Sequence, residues 1–170
     1  MAMAFNSSRS EGLDMKFGKQ GCLGAILAVV VLAAVGCGKA TQSGPEIVVY
    51  KSPTCSCCSK WVSHLQDSGF RVTVHQMSDV DSMRQQYGVP AALAACHTAR
   101  VGGYTIEGHV PAAAIERLLK EHPAIAGLAV PGMPVGSPGM EQGTRRVAYE
   151  VLAFDAQGHS SVYEAHPATP

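Results

Sequence analysis

Three of the chain's six cysteines fall within four positions, in Thr54-Cys55-Ser56-Cys57-Cys58. Cys55 and Cys58 have the C-x-x-C spacing of dithiol–disulfide exchange, and Cys57 is one thiol more than that chemistry needs. Soft thiolates select Cu(I) and also take zinc or iron–sulfur clusters. Thiolate sulfur can bridge two metals, so three or four thiols have the capacity for more than one ion. A fourth thiol stands in Cys96-His97-Thr98, and Met133 and Met140 sit on a Pro/Gly-rich stretch too irregular for a core element. The candidate ligand set is therefore Cys55, Cys57, Cys58, Cys96, His97, Met133 and Met140. The competing reading is a Cys55–Cys58 disulfide with Cys57 as a small bystander.

The elements that must position these residues follow from hydrophobic periodicity. Ile47-Val48-Val49-Tyr50 is a continuous apolar run of strand length, as a buried parallel strand requires. Trp61, Val62 and Leu65 recur at helical spacing behind the cysteines, which puts the thiols at a helix start, where backbone N–H groups and the helix dipole favour thiolate. Val72 and Val74 mark a second strand. Ser78-Asp79 caps a short helix running to Tyr87, and Asp79 and Asp81 belong to its start. Gly102-Gly103 joins two strands as a hairpin, and Pro111 opens a helix that His122-Pro123 ends. The order is β-α-β-α-β-β-α, that of thioredoxin, so the expectation is an α/β, thioredoxin-like domain over residues 46–127. In thioredoxins a cis-proline occupies the strand entry facing the first cysteines. Here no proline occurs from Ala91 to Val110, and Cys96-His97 stands there instead, which favours a metal over exchange.

Residues 128–170 read as a C-terminal extension: a loop over Leu128–Met140, then a β-hairpin with its turn at Asp155–Gly158. Among the histidines, His109 between strand and helix is ligand or cap. His64 is expected in solvent, His75 on a strand, His122 at a helix C-terminus, His159 in a turn and His166 in a disordered tail.

No charge interrupts residues 20–38, and Ala25–Val35 is apolar throughout. Behind Lys16 and Lys19 this has the layout of a secretory signal peptide, so residues 1–36 are expected to be a signal peptide or a retained membrane anchor, with 37–45 as linker. Met15 makes a cleaner start than Met1. Ala34-Val35-Gly36-Cys37 suits either signal peptidase cleavage or a lipoprotein box that acylates Cys37. The rest of the chain then lies outside the cytoplasm. Without Arg9, Lys16, Lys19, Glu11 and Asp14, ten Lys/Arg face eleven Asp/Glu. This balance, with 6% aromatic residues, argues against a nucleic-acid partner. Nothing implies an obligate dimer, so a monomer is expected. No nucleophile elbow, P-loop, zinc-protease helix or paired carboxylate occurs.

YKSPTCSCC (50–58), CHTARVGGYTIEGHVP (96–111) and GLAVPGMPVGSPGME (127–141) together resemble the CopG-type copper-resistance proteins, marked by a C-x-C-C motif. The resemblance spans residues 46–142. It implies an exported thioredoxin-like domain whose extension helps bind metal, and a cysteine-bridged cluster of several copper ions. It further implies interconversion of Cu(I) and Cu(II) in periplasmic copper detoxification, with periplasmic efflux or carrier proteins as partners. By position Cys55, Cys57, Cys58 and Cys96 match the family's cysteines, and Met133 and Met140 its extension motif. A thiol–disulfide oxidoreductase and a passive copper store or chaperone are the alternatives.

Overall fold

The computed structural model describes residues 43–169. The expected signal segment and Cys37 lie outside them.

β1 (Glu46–Lys51) alternates exposed or half-buried with buried residues, Ile47 and Val49 facing the core. It pairs in parallel with β2 (Arg71–Gln76) and antiparallel with β3 (His97–Val101). β3 turns back into β4 (Tyr104–Gly108) through Gly102 and Gly103, both at positive φ (54° and 90°). Two consecutive left-handed residues give the turn whose twist matches that of a hairpin, and glycine adopts them without steric cost. The first four strands and the helices α1 (Ser56–Asp67), α2 (Asp81–Gln86) and α3 (Ala112–Glu121) come in the order read from the sequence.

The expectation of a loop from Leu128 onward is corrected at its first residues. Gly127–Val130 form β5, parallel to β4 and wholly buried. The signal was there: Leu128-Ala129-Val130 is apolar without interruption, but three residues before a Pro/Gly run are too few for a periodicity argument. β6 (Tyr149–Phe154) and β7 (Ser160–His166) form the expected hairpin and join the same sheet, in the order β2-β1-β3-β4-β5-β6-β7. His166 therefore ends a strand, where its ring stacks on Tyr149 at 4.4 Å. It is not in a disordered tail.

The core lies under α1 and α3. Cys58, Trp61, Val62 and Leu65 form the buried stripe of α1, and Ala114, Ile115 and Leu118 that of α3. They pack with Ile47, Val49, Ile106, Leu128 and Val130. Because side chains alternate across a sheet, Ala129 faces the other way, where Leu93 and Phe154 form a smaller cluster. Among the described residues no helix is long and apolar enough to cross a membrane.

Candidate metal centre

Cys55 is the N-cap of α1. Its backbone is extended (φ −77°, ψ 100°) and its sulfur accepts the Cys58 N–H at 3.3 Å. A thiol thus does what Ser or Asp usually does at this position. Starting the helix here sends Cys58 inward, fully buried, and leaves Cys57 half-exposed on the next face. Cys57 Sγ lies 3.4 Å from Cys55 Sγ. Cys96 reaches the same place from the entry to β3, and the four sulfurs all lie within 4.8 Å of one another. The sequence places Cys96 thirty-eight residues from Cys58, and the sheet brings its backbone carbonyl to 4.0 Å from that sulfur. Cys55 and Cys58 are joined by a disulfide, and Cys57 and Cys96 are free. The pairing set aside as the bystander reading is thus present, inside a group that still holds two thiols.

The loop between β5 and β6 crosses this site as a strap. The Cys96 thiol donates to the Met133 thioether at 2.9 Å, so Met133 is the loop methionine at the thiols. Met140 is half-buried and closes the strap through its backbone, donating to Ser137 and accepting from Gly136. Gly139 (φ 86°) lies against the first turn of α1, where a Cβ would stand 2.8 Å from both the Cys57 carbonyl oxygen and the Trp61 nitrogen. Only glycine fits so close a backbone approach. The His109 Nδ1–H donates to the Pro138 carbonyl at 2.7 Å and pins the strap from below.

His97 does not join the four sulfurs. It lies in the interior with Trp61 at 4.3 Å on one side and His109 at 5.0 Å on the other. Burial, reinforced by the neighbouring His109, pushes His97 down to about 3, and burial lowers His109 as well. His64 is also not in solvent. It is half-buried, its Nε2 accepts the Ala112 N–H at 3.1 Å, and burial lowers it. The Cys96 thiol is pushed up by burial and then by nearby Cys57. It keeps its proton until a cation replaces it, because metal binding and thiol deprotonation are one equilibrium.

Two residues escaped the sequence reading. Glu107, fully buried on β4, accepts from Ala95 N–H at 2.7 Å, from the Thr98 hydroxyl and from Arg84 Nε at 2.8 Å. It grips the chain on both sides of Cys96. Arg84 also donates to the Ala95 carbonyl. A charge between Ile106 and Gly108 in an apolar strand was the available signal for Glu107; Arg84, on a polar helix, gave none. Lys51 is likewise buried, opposite His97 in register, with its ammonium donating to the Ser52 carbonyl at 2.9 Å.

The donor set is soft, compact and half-sheltered, which suits a thiophilic ion such as Cu(I). Residues 93–140 match a family described as a protein of unknown function, DUF411. No curated protein matches. Two solved structures of a copper resistance protein, CopG, match at 44% identity and a TM-score of 0.69. Form 2 is matched over 72% of this chain and 98% of its own, and Form 1 over 73% and 99%. Nearly half of the residues agree over almost the whole of those relatives, and the chain belongs to the CopG family.

Proposed function

We propose that this protein binds copper outside the cytoplasm through Cys55, Cys57, Cys58 and Cys96, with Met133 as a thioether donor, and changes the oxidation state of the copper it holds. The observation that carries the binding is the convergence of four sulfurs within 4.8 Å, from a helix start and an opposing strand. Sulfurs this close can each serve more than one ion, which supports a cluster of several coppers over one. Met140 and His97 are not needed as direct ligands in this reading.

The redox part draws support from the Cys55–Cys58 bond. Two-electron reduction converts that bond into two thiolates and raises the donor set from two free thiols to four. The capacity of the site for copper is thereby tied to its own redox state. We further infer a thioredoxin-like framework over residues 46–127, export by residues 1–36, acylation at Cys37, action as a monomer, and exchange of copper with periplasmic efflux or carrier proteins.

Anaerobic Cu(I) titration of the reduced protein against a competing chelator tests the binding. More than one tightly held copper per chain is expected, falling to one or none in Cys57→Ala. No uptake by the reduced protein would end the reading. The disulfide favours a second reading, thiol–disulfide exchange by Cys55 and Cys58. In that case Cys57→Ala would keep its disulfide reductase activity and the wild type would hold no stoichiometric copper.

A further inference from the structure

Beside the cysteines two imidazoles are buried and under-satisfied: His109 leaves Nε2 without a partner, and His97 has only the backbone of Gly108 near one of its nitrogens. Buried polar atoms are nearly always paired, so free nitrogens on two adjacent rings call for an explanation. His109 has a fixed tautomer. Its Nδ1 faces a carbonyl, which only accepts, so the proton is on Nδ1 and the lone pair is on Nε2. An imidazole whose other N–H is held by a backbone carbonyl is the usual arrangement of a metal-binding histidine.

The nearby donors are committed elsewhere. Trp61 Nε1 donates to the Val110 carbonyl at 2.8 Å, and the Lys51 ammonium to the Ser52 carbonyl. The two rings are 5.0 Å apart between centroids and steeply inclined, at 78°. With metal–imidazole bonds of about 2 Å, one ion can take a nitrogen from each. His97 follows Cys96 directly, and His109 holds the strap that carries Met133.

We infer that His97 and His109 form a nitrogen-donor subsite for Cu(II) behind the sulfur group. Imidazole accommodates Cu(II), whereas thiolate and thioether select Cu(I). The protein thus offers each oxidation state its own donors, one residue apart along the chain at Cys96-His97. This rests on the copper reading above and adds a second, chemically different place for the ion.

The test uses the full chain carrying Cys57→Ser and Cys96→Ser, with the Cys55–Cys58 disulfide intact and any remaining thiol alkylated, so that added Cu(II) is not reduced. One equivalent of Cu(II) is followed by electron paramagnetic resonance with pulsed detection of nitrogen couplings. The expected result is one bound Cu(II) coupled to two imidazoles, lost in His97→Gln and in His109→Gln when each melts cooperatively without metal. If either variant fails to fold, the count of coupled imidazoles in the parent decides alone, and fewer than two overturns the inference. A signal that survives both variants belongs to surface histidines and also overturns it. Cu(I) stoichiometry of the wild type, measured in parallel, separates the two readings. Cu(I) bound at sulfur with no two-imidazole Cu(II) defeats only the subsite, whereas no Cu(I) defeats the copper reading itself.

Discussion

Arg84 Nε lies 2.8 Å from a carboxylate oxygen of Glu107, a residue with no exposed surface, and both side chains also hold Ala95. The ion pair therefore fixes the backbone from which Cys96 projects. Removing one partner leaves a buried charge, which costs about 3–5 kcal/mol. Arg84→Met is expected to lose stability on that scale in urea unfolding. It should also weaken copper binding more than Asp81→Asn, which removes only the exposed second partner of Arg84.

The fold was legible wherever apolar periodicity was long. β1, α1, the glycine hairpin and α3 were found because each carries several apolar residues at the right spacing. β5 was missed because it is only four residues long. Cysteine spacing made the sulfur group readable, and the structure adds the register that brings Cys96 to it. His97 could not be assigned from sequence. Strand parity decides which side its ring takes, and a shift of one residue reverses it. His64 was misjudged because its burial comes from α3, a tertiary neighbour that helix periodicity does not reveal.

Gly139→Ala places a methyl against the backbone of α1 and forces a left-handed φ on a residue that resists it. A loss of about 2–3 kcal/mol is expected. Because the strap can no longer lie flat, Cys57 should be alkylated faster by iodoacetamide than in the wild type, as read by mass spectrometry. Equal rates would mean that the strap does not shelter the thiols.

Met133 and Met140 should behave differently. Met133→Leu removes a sulfur that touches Cys96, and Cu(I) affinity is expected to fall about tenfold, equivalent to about 1.4 kcal/mol. Met140→Leu keeps the backbone turn and should leave the affinity unchanged. Chelator competition on the two variants checks both.

Acid should destabilise the copper-free protein earlier than its carboxylates alone require. His97, His109 and His64 all hold their protons less tightly in the fold than in the unfolded chain. The unfolded chain therefore binds more protons as pH falls below about 6.5, and stability drops through that window until the folded values are reached, about 3 for His97. His97 alone contributes a loss of about 2 kcal/mol between pH 6.5 and 4.5. Chemical denaturation at a series of pH values gives the slope, which should flatten in His97→Phe.

Trp61 is the only tryptophan, sits on the helix that begins with the cysteines and covers His97 at 4.3 Å. Its emission is expected to be quenched stoichiometrically as copper binds, and to recover on chelation. Emission that ignores bound copper would put the ion elsewhere.

The strap leaves the sheet at Val130 and returns to it at Tyr149, so both of its ends are rooted in paired strands. Its returning limb is also tied to the carboxyl-terminal end, because Arg146, packed on Gly136, exchanges two backbone hydrogen bonds with Thr169. Proteolytic trimming from that end therefore removes the Thr169 bonds first and reaches β7 and β6 only later, so a clipped tail frees one edge of the cover while its roots in the sheet still hold.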